Sequence, residues 1–182
     1  MAQEDRAAAV ERKERVAARK KNVQSMFNAI AGRRTAIVSE VSGTTRDRLA
    51  EEVEHQGRRM LLVDTGGLVP EPETEMEAHI AAQVDTAVQD ADVVLFVTDA
   101  RDGVTHADRS VAERLRRAGT PLALAVNKAE GTQADSGIME SYSLGLGEPI
   151  AISAEHGEGL ADLFEGLAPH IDNFEPPAPE DD

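Results

Sequence analysis

Three short polar segments each follow an apolar run, and their residue types suit the binding of a phosphorylated ligand. The first is Asp64-Thr65-Gly66-Gly67, which comes directly after Met60–Val63. A carboxylate at the end of a strand can hold Mg²⁺ through water, and a glycine lets a backbone N–H approach a terminal phosphate. Taken alone, an Asp-x-Gly-Gly segment is more often an ordinary turn. It predicts a phosphate and Mg²⁺ site only in combination with the other two segments.

The second segment is Asn127-Lys128-Ala129-Glu130, which follows the apolar run Leu122–Val126. A carboxylate here can accept two parallel N–H bonds from the N1 and N2 edge of guanine, an edge that adenine does not offer. The asparagine can tie the loop to neighbouring loops, and the aliphatic stem of the lysine can cover the base. This segment therefore indicates a loop that reads guanine.

The third segment, Ser153-Ala154-Glu155, follows Pro149–Ile152 and offers backbone N–H groups in a tight turn. Any one of the three segments alone fits an ordinary polar loop between a strand and a helix. In an open α/β sheet, however, ligands bind beyond the carboxyl ends of the strands. Because all three segments follow their own strands in order, their combination favours a nucleotide site.

The elements that must position these segments alternate between strands and helices. Residues 5–31 contain no Gly or Pro and are rich in Ala, Glu, Arg and Lys, which predicts one long helix ending at Gly32. The run Val93–Val97 is nearly all apolar, as expected for a parallel strand buried on both faces. The other predicted elements are strands at 48–54, 59–63, 121–126 and 149–152 and helices at 76–90, 106–118 and 158–171. This order predicts an α/β fold with a mostly parallel sheet.

The composition excludes several classes of protein. The 182 residues carry a net charge of −15 and contain no Cys, which excludes disulfides, thiolate metal sites and a Cys nucleophile and agrees with a cytoplasmic location. Aromatic residues make up 3% of the chain, which argues against a surface that stacks nucleic-acid bases. No apolar run is long enough to span a bilayer. We therefore expect neither a membrane nor DNA as a partner.

Together with other stretches of the chain, these segments resemble the TrmE–Era–EngA group of translation-factor-class GTPases. The resemblance is strongest to the first GTP-binding domain of the EngA (Der) family. The resemblance spans about residues 25–171 and implies a P-loop-NTPase-like G domain, α/β in class. The stretches that carry it are 32–39 (GRRTAIVS), 43–48 (GTTRDR), 64–68 (DTGGL), 91–97 (ADVVLFV), 127–128 (NK), 143–149 (SLGLGEP) and 153–157 (SAEHG).

The resemblance implies roles for the phosphate side of the site. Thr45 would be the switch threonine that reaches Mg²⁺ and the terminal phosphate, and Asp64 would hold Mg²⁺ through water. Gly67 would sense the terminal phosphate, with Thr65 and Gly66 in the same cofactor-binding loop. Leu68 stands where many GTPases carry a water-orienting Gln. This matches families in which a K⁺ ion near the phosphates assists hydrolysis.

The resemblance also implies roles for the base side and for partners. Asn127, Lys128 and Glu130 would read guanine, and Ser153 with Ala154 would support the base, Glu155 completing that loop. Glu130 replaces the usual Asp of the family, a change that keeps the two acceptor oxygens but moves them outward by one methylene. EngA proteins act in assembly of the large ribosomal subunit, so the expected partners are GTP or GDP and the large subunit or its rRNA.

One departure from the family is severe. Family members begin with an apolar strand that leads into a G-x-x-x-x-G-K-[ST] loop, whose N–H groups and Lys hold the phosphates. Aligned without gaps, the G-K-S positions fall on Asn22, Val23 and Gln24, and the strand falls on Lys13–Val16, which begins with three charged residues. A buried central strand cannot carry such charges. We therefore expect no strand at 13–16 and a helix in its place.

Loss of the phosphate loop is expected to weaken nucleotide binding. Three lost charge-assisted contacts of ~1.5–3 kcal/mol each amount to ~5–9 kcal/mol, or ~10³–10⁶ in affinity. Three explanations stay open: a frame-shifted, truncated or redesigned N-terminal segment, a pseudo-GTPase kept for binding a partner, or residual weak GTP binding. The abrupt loss of family pattern before Ser25, against a close match after it, favours the first.

The same boundary appears in the distribution of charge. Residues 1–24 carry seven basic and four acidic residues, a net +3, which leaves −18 for the rest of the chain. The sequence therefore divides into a basic helical leader at 1–24, a G domain at 25–171 and an acidic, Pro-rich linker or tail at 172–182. The leader is either an rRNA-contacting element or, more simply, a solvated helix, since acids interleave its bases. The five His residues show no metal-ligand spacing and receive no ligand role.

Overall fold

The computed structural model describes residues 2–31, 50–63 and 72–171. Within them the chain forms α1 (Ala2–Ala31), β1 (Ala50–His55), β2 (Arg58–Val63), α2 (Glu75–Asp90), β3 (Val94–Asp99), α3 (His106–Ala118), β4 (Leu122–Asn127), α4 (Asp135–Ser141), β5 (Ile150–Ala151) and α5 (Leu160–Ile171). The strands and helices expected from the sequence are confirmed to within about two residues at most ends. The acidic tail at 172–182 lies outside the described residues.

Three strands form a parallel sheet in the order β3-β4-β5. The register pairs Val94 with Leu122 and Asp99 with Asn127, so β3 and β4 end at the same level. Parallel strands need crossover connections, and α3 supplies the one between β3 and β4. It begins at a capping box made by Thr105 and Asp108. The parallel sheet expected from the apolar strands is confirmed.

Strands β1 and β2 form a separate antiparallel hairpin. Its two turn residues, Gln56 and Gly57, have φ of 52° and 77°, the left-handed pair that a tight two-residue hairpin turn requires. At the end of β1, the ring of His55 stacks on Phe164 of α5 with centroids 3.9 Å apart. The hairpin is thereby attached to the same helix layer that covers the parallel sheet.

Residues 13–16 form part of α1, and among the described residues no strand joins the hairpin to the parallel sheet. This confirms the expectation that a charged helix replaces the first strand. The last turns of α1 cover the core: Met26 and Ile30, each 1% exposed, share a cluster with Val53 of β1 and Val97 of β3. The helix end therefore packs against apolar side chains of both the hairpin and the parallel sheet.

A second core lies on the opposite face of the parallel sheet. It is formed by side chains of α2, α3, β3 and β4, the fully buried ones being Val84, Val88, Phe96, Val111, Ala112, Leu115 and Leu124, together with Leu144. The Arg114 guanidinium pairs with Asp85 across the two helices. With helices on both faces of a mostly parallel sheet, the architecture is the α/β class expected from the sequence.

Helix α4 is not expected from the sequence. Its buried residues are Gly137 and Ser141, so it lacks the periodic apolar residues from which a helix is predicted. Gly137 packs so closely that a Cβ there would stand 2.0 Å from the carbonyl oxygen of Ala100. No helix in the described part of the chain is long and apolar enough to cross a bilayer.

Candidate functional site

The base-reading segments meet at the carboxyl edge of the parallel sheet. Backbone bonds brace the loops there: the Ala100 N–H donates to the carbonyl of Asn127 at 2.9 Å, and the Ala129 N–H donates to the carbonyl of Ile152 at 2.9 Å. The loops that follow β3, β4 and β5 are therefore joined directly to one another. This is the edge at which an open α/β sheet holds its ligands.

Asn127 connects these loops to α1 and is 2% exposed. Its Oδ1 accepts the Ala154 N–H at 2.9 Å, and its Nδ2 donates to Asn22 Oδ1 at 2.8 Å and to Ser25 Oγ at 3.1 Å. Asn22 in turn donates to the carbonyl of Thr98 at 3.2 Å. The loop-tying contacts expected of Asn127 are present, and they extend to a helix that the sequence did not suggest as a partner.

Lys128 adopts a backbone conformation that is uncommon for a residue with a side chain. Its φ is 59°, in the left-handed region, and such strain concentrates at functional sites. Its Nζ lies 2.5 Å from Asp99 Oδ2, while Asp99 Oδ1 accepts the Arg101 N–H at 2.9 Å. Asp99 at the end of β3 therefore fixes both the lysine and the start of the next loop.

Glu130 carries the carboxylate expected to read guanine. Its Oε1 lies 2.5 Å from Arg101 Nη2, while its Oε2 is buried and outside hydrogen-bond geometry with any donor in the described part of the chain. Burial raises the pKa of Glu130, but its own backbone N–H, the Ser153 hydroxyl facing it and the charges of Arg101 and His156 outweigh burial. The pKa is therefore held below its ordinary value, and the group is an ionised double acceptor at neutral pH.

The turn after β5 places Ser153, Ala154 and Glu155 beside Glu130. Ser153 and Glu158 exchange two backbone hydrogen bonds at 3.0 and 3.1 Å, and Ser153 Oγ accepts the His156 N–H at 3.3 Å. One ligand atom each from Glu130, Glu155 and His156 lie within 4.8 Å of one another. The spacing of His residues in the sequence gave no sign of this cluster.

Sequence reasoning missed several residues of the site. Arg101 and Asp99 belong to the polar segment after β3, and the strand-end rule that found the other loops would have found them too. Asn22 has no such signal, whereas His156 follows β5 within the stretch 153–157 that carries the family resemblance, although no role is predicted for it there. Of the predicted site residues, Thr45, Asp64, Thr65, Gly66 and Gly67 lie outside the described residues, so the phosphate and Mg²⁺ side stays a prediction.

The positions predicted for the phosphate loop lie inside a helix. Asn22, Val23 and Gln24 are well within α1, where backbone N–H groups bond to carbonyls four residues earlier. They are therefore not free to surround a phosphate, as the N–H groups of a phosphate loop must be. The candidate base-reading residues lie together at the sheet edge, and the aligned positions of α1 do not form a phosphate loop.

Comparison with known proteins assigns the family. A family model described as "50S ribosome-binding GTPase" matches residues 24–128. The chain is 43% identical to GTPase Der of Brucella anthropi over 143 residues, which are 79% of this chain and 30% of that protein. It is 47% identical to GTPase Der of a Synechococcus strain over 150 residues, 81% of this chain and 32% of that protein. The chain thus spans about a third of these curated relatives.

Solved structures agree on the fold. Aquifex aeolicus Era, in a variant bound to GDP·AlF4⁻, has a TM-score of 0.68 at 24% identity and covers 87% of this chain and 56% of its own. Era in complex with MgGDPNP and a 16S rRNA segment has a TM-score of 0.66, with 24% identity and 87% and 55% coverage. The G domain of Thermotoga maritima FeoB has a TM-score of 0.63 at 22% identity, covering 81% and 89%. The chain belongs to the 50S ribosome-binding GTPase family, as an EngA/Der-like G domain in which a helix stands in place of the first strand and phosphate loop.

Proposed function

We propose that this domain binds guanine nucleotides weakly, through the base-reading loops, and hydrolyses GTP slowly or not at all. The observation that supports base recognition is the linked pair of loops: Asn127 accepts the Ala154 N–H while Glu130 keeps an ionised carboxylate beside them. An ionised carboxylate has the two acceptor oxygens that the adjacent N–H donors of guanine need. Adenine presents no such donor pair, so the preference is for guanine.

Weak binding follows from the structure of α1. Most of the affinity of a G domain for nucleotides comes from phosphates held by backbone N–H groups and a lysine. Here the aligned positions Asn22, Val23 and Gln24 are inside a helix and offer neither. When bound, Mg²⁺ would neutralise phosphate charge and would be held by Thr45 and Asp64. We include K⁺ near the phosphates in the same proposal, because Leu68 replaces the water-orienting Gln.

The biological role belongs to the proposal as well. The proposed role is in assembly of the large ribosomal subunit, in the cytoplasm, with the subunit or its rRNA as partner. The family description, which names binding to the 50S ribosome, supports the choice of partner. The domain division also stands as proposed, with a basic leader at 1–24, a G domain at 25–171 and an acidic linker or tail at 172–182. The helix α1 runs through residue 24 without interruption, so leader and domain share one element.

The binding proposal is tested by titrating the full chain with a fluorescent guanine nucleotide in Mg²⁺ buffer, with an adenine nucleotide as competitor. We expect a Kd above ~100 μM and a preference for guanine that Glu130→Ala abolishes. Glu113→Ala is the matched control, because Glu113 is an exposed carboxylate paired with Arg117 on α3. Micromolar or tighter binding would contradict weak binding, and equal affinity for adenine would contradict base recognition.

A second candidate function is a binding module for the ribosome or a protein, independent of nucleotide. The observation that favours it is the first part of α1, where the charged side chains that the structure describes, among them Arg6, Lys13 and Lys21, are exposed. About 20 residues before Asn22 form roughly 30 Å of helix at 1.5 Å per residue. Sedimentation with ribosomal subunits separates the two functions, since a module of this kind co-sediments equally with and without GTP.

A further inference from the structure

The Arg101 side chain occupies the carboxylate that the proposed function assigns to guanine. Its Nη2 lies 2.5 Å from Glu130 Oε1. The loop that carries Arg101 is fixed at its start, because the Arg101 N–H donates to Asp99 Oδ1. Beyond that point the guanidinium is free to move, since the Arg101 side chain is 56% exposed whereas that of Glu130 is 20% exposed.

The Arg101 guanidinium and guanine both donate hydrogen bonds to the Glu130 carboxylate. Guanine presents two adjacent donors, N1–H and the exocyclic N2 amino group, which together need both carboxylate oxygens. Arg101 presents an N–H donor of the same kind to one of those oxygens. While Arg101 holds Oε1, only Oε2 remains for the base, so the carboxylate cannot receive both donors.

We propose that Arg101 is a specificity-determining residue that competes with the guanine amino group for Glu130 Oε1, so that full recognition of guanine requires the guanidinium to leave. This inference rests on the proposed function, since it concerns the same site. Release into solvent is inexpensive because an exposed ion pair stabilises a protein only slightly. The competition therefore lowers the affinity for guanine by a small factor. It also reduces the difference in affinity between guanine and bases that need only one carboxylate oxygen.

A comparison of GDP with IDP, whose base is hypoxanthine, distinguishes this competition from other effects of the Arg101 charge. The base of IDP keeps the N1–H of guanine and lacks the exocyclic amino group, so it needs only Oε2 and leaves Arg101 in place. Both bases must uncover the buried Oε2, so that cost cancels when GDP and IDP are compared. GDP and IDP carry the same phosphates, so any general attraction of Arg101 for phosphate cancels in the ratio of their dissociation constants. The ratio therefore reports on access to Glu130 Oε1.

The experiment measures the IDP-to-GDP ratio of Kd for the full chain by calorimetry or NMR titration, for the wild type, Arg101→Gln and Arg101→Lys. We expect the ratio to rise about two- to fivefold in Arg101→Gln, because the competing ion pair is gone. In Arg101→Lys, which keeps a charge without the planar fork, we expect a smaller rise. Arg117→Gln is the matched control: it removes the same charge from an exposed pair with Glu113 on α3, and the ratio should not change.

The outcomes distinguish this inference from the proposed function. An unchanged or lower ratio in a folded Arg101→Gln, with GDP still preferred over ADP, would overturn the competition and make Arg101 a residue that orients Glu130. If no variant binds GDP in preference to ADP even at millimolar concentration, the proposed function fails and the inference fails with it. Thermal unfolding establishes that each variant folds, and Arg101→Lys decides the question if Arg101→Gln does not.

Discussion

The two halves of the expected nucleotide site differ sharply in how they are built. On the base side, the loops after β3, β4 and β5 are joined by hydrogen bonds through Asn127 and carry an ionised Glu130. On the phosphate side, the segment that should form a strand and a glycine-rich loop is the helix α1. The base loops are therefore built as the family resemblance leads us to expect, beside a helix at the aligned phosphate-loop positions, and Asn22 of that helix is bonded to Asn127 of the base loops.

The contacts of α1 explain how the fold accepts this replacement. Among the α1 side chains that the structure describes, those buried in the apolar core lie in the last turns (Met26, Phe27 and Ile30), whereas Val10 is 55% exposed. Asn22 supplies the polar connection to Asn127 and Thr98. The helix end thus substitutes for the missing strand as a packing element and contributes nothing that resembles a phosphate cradle.

The largest expected effect comes from removing the packing of α1. Ile30→Ala should lower the free energy of unfolding by about 2–5 kcal/mol, because a fully buried side chain leaves a cavity in the core it shares with β1 and β3. Val10→Ala on the exposed part of the same helix should change it by less than about 0.5 kcal/mol. Urea denaturation measures both. Equal effects would show that the helix end does not hold the hairpin and sheet together.

Asn127→Ala is expected to lower the free energy of unfolding by about 2–4 kcal/mol, because it removes the hydrogen bonds that join the base loops. The change removes the acceptor of the half-buried Ala154 N–H and the donor to the buried Asn22 Oδ1, and unsatisfied buried groups cost about 1–3 kcal/mol each. Asn28→Ala is the control, since Asn28 is exposed on α1 and bonds to Gln24 on the same helix. Denaturant melts compare the two variants, and a loss no greater than the control's would refute the linking role of Asn127.

Gly159→Ala should destabilise the turn behind the base loop by at least about 2 kcal/mol. Gly159 has φ of 75°, and a Cβ there would stand 2.2 Å from the carbonyl oxygen of Ala151. Gly119→Ala is a matched control with φ of 73° and nothing within 4 Å, so it carries the backbone strain of about 1 kcal/mol without the clash. Thermal unfolding of the two variants separates strain from collision. A Gly159→Ala variant as stable as Gly119→Ala would contradict the close packing of this turn.

The smallest expected effect is the pH dependence contributed by Glu130. Its pKa is lower in the folded than in the unfolded chain, so the unfolded chain binds more protons between the two pKa values. The stabilisation is present above the unfolded pKa of about 4.3 and is lost as the pH falls through the folded pKa. The stability difference between wild type and Glu130→Gln should therefore shrink below about pH 4.5. A difference that grows on acidification would mean that the folded state raises this pKa.

The elements of the fold were predictable where a periodic pattern was strong. The apolar runs gave β3 and β4, and the Ala- and charge-rich stretch without Gly or Pro gave α1. Helix α4 was not predicted, because its buried positions are Gly137 and Ser141 and its packing depends on close approach to Ala100. Contacts of that kind depend on the tertiary arrangement and leave no periodic trace in the sequence.

The site was predictable for a similar reason and to a similar extent. The rule that ligands bind at strand ends located Asn127, Glu130 and Ser153, which the structure brings together. It did not predict Arg101 on Glu130, because the two residues are 29 positions apart and meet only when β3 and β4 end at the same level. The bond from Asn127 to Asn22 spans 105 positions and depends on the replacement of a strand by a helix.

We propose that this domain reads the base and has lost its hold on the phosphates. The ratio of the Kd values of guanosine and GDP, determined by NMR titration of the full chain in Mg²⁺, tests both parts of this proposal. Without a phosphate loop, GDP should bind no more than about tenfold more tightly than guanosine, a difference of about 1.4 kcal/mol. A thousandfold preference for GDP would contradict the claim, because it would mean that residues outside α1 supply the phosphate contacts that the helix lacks.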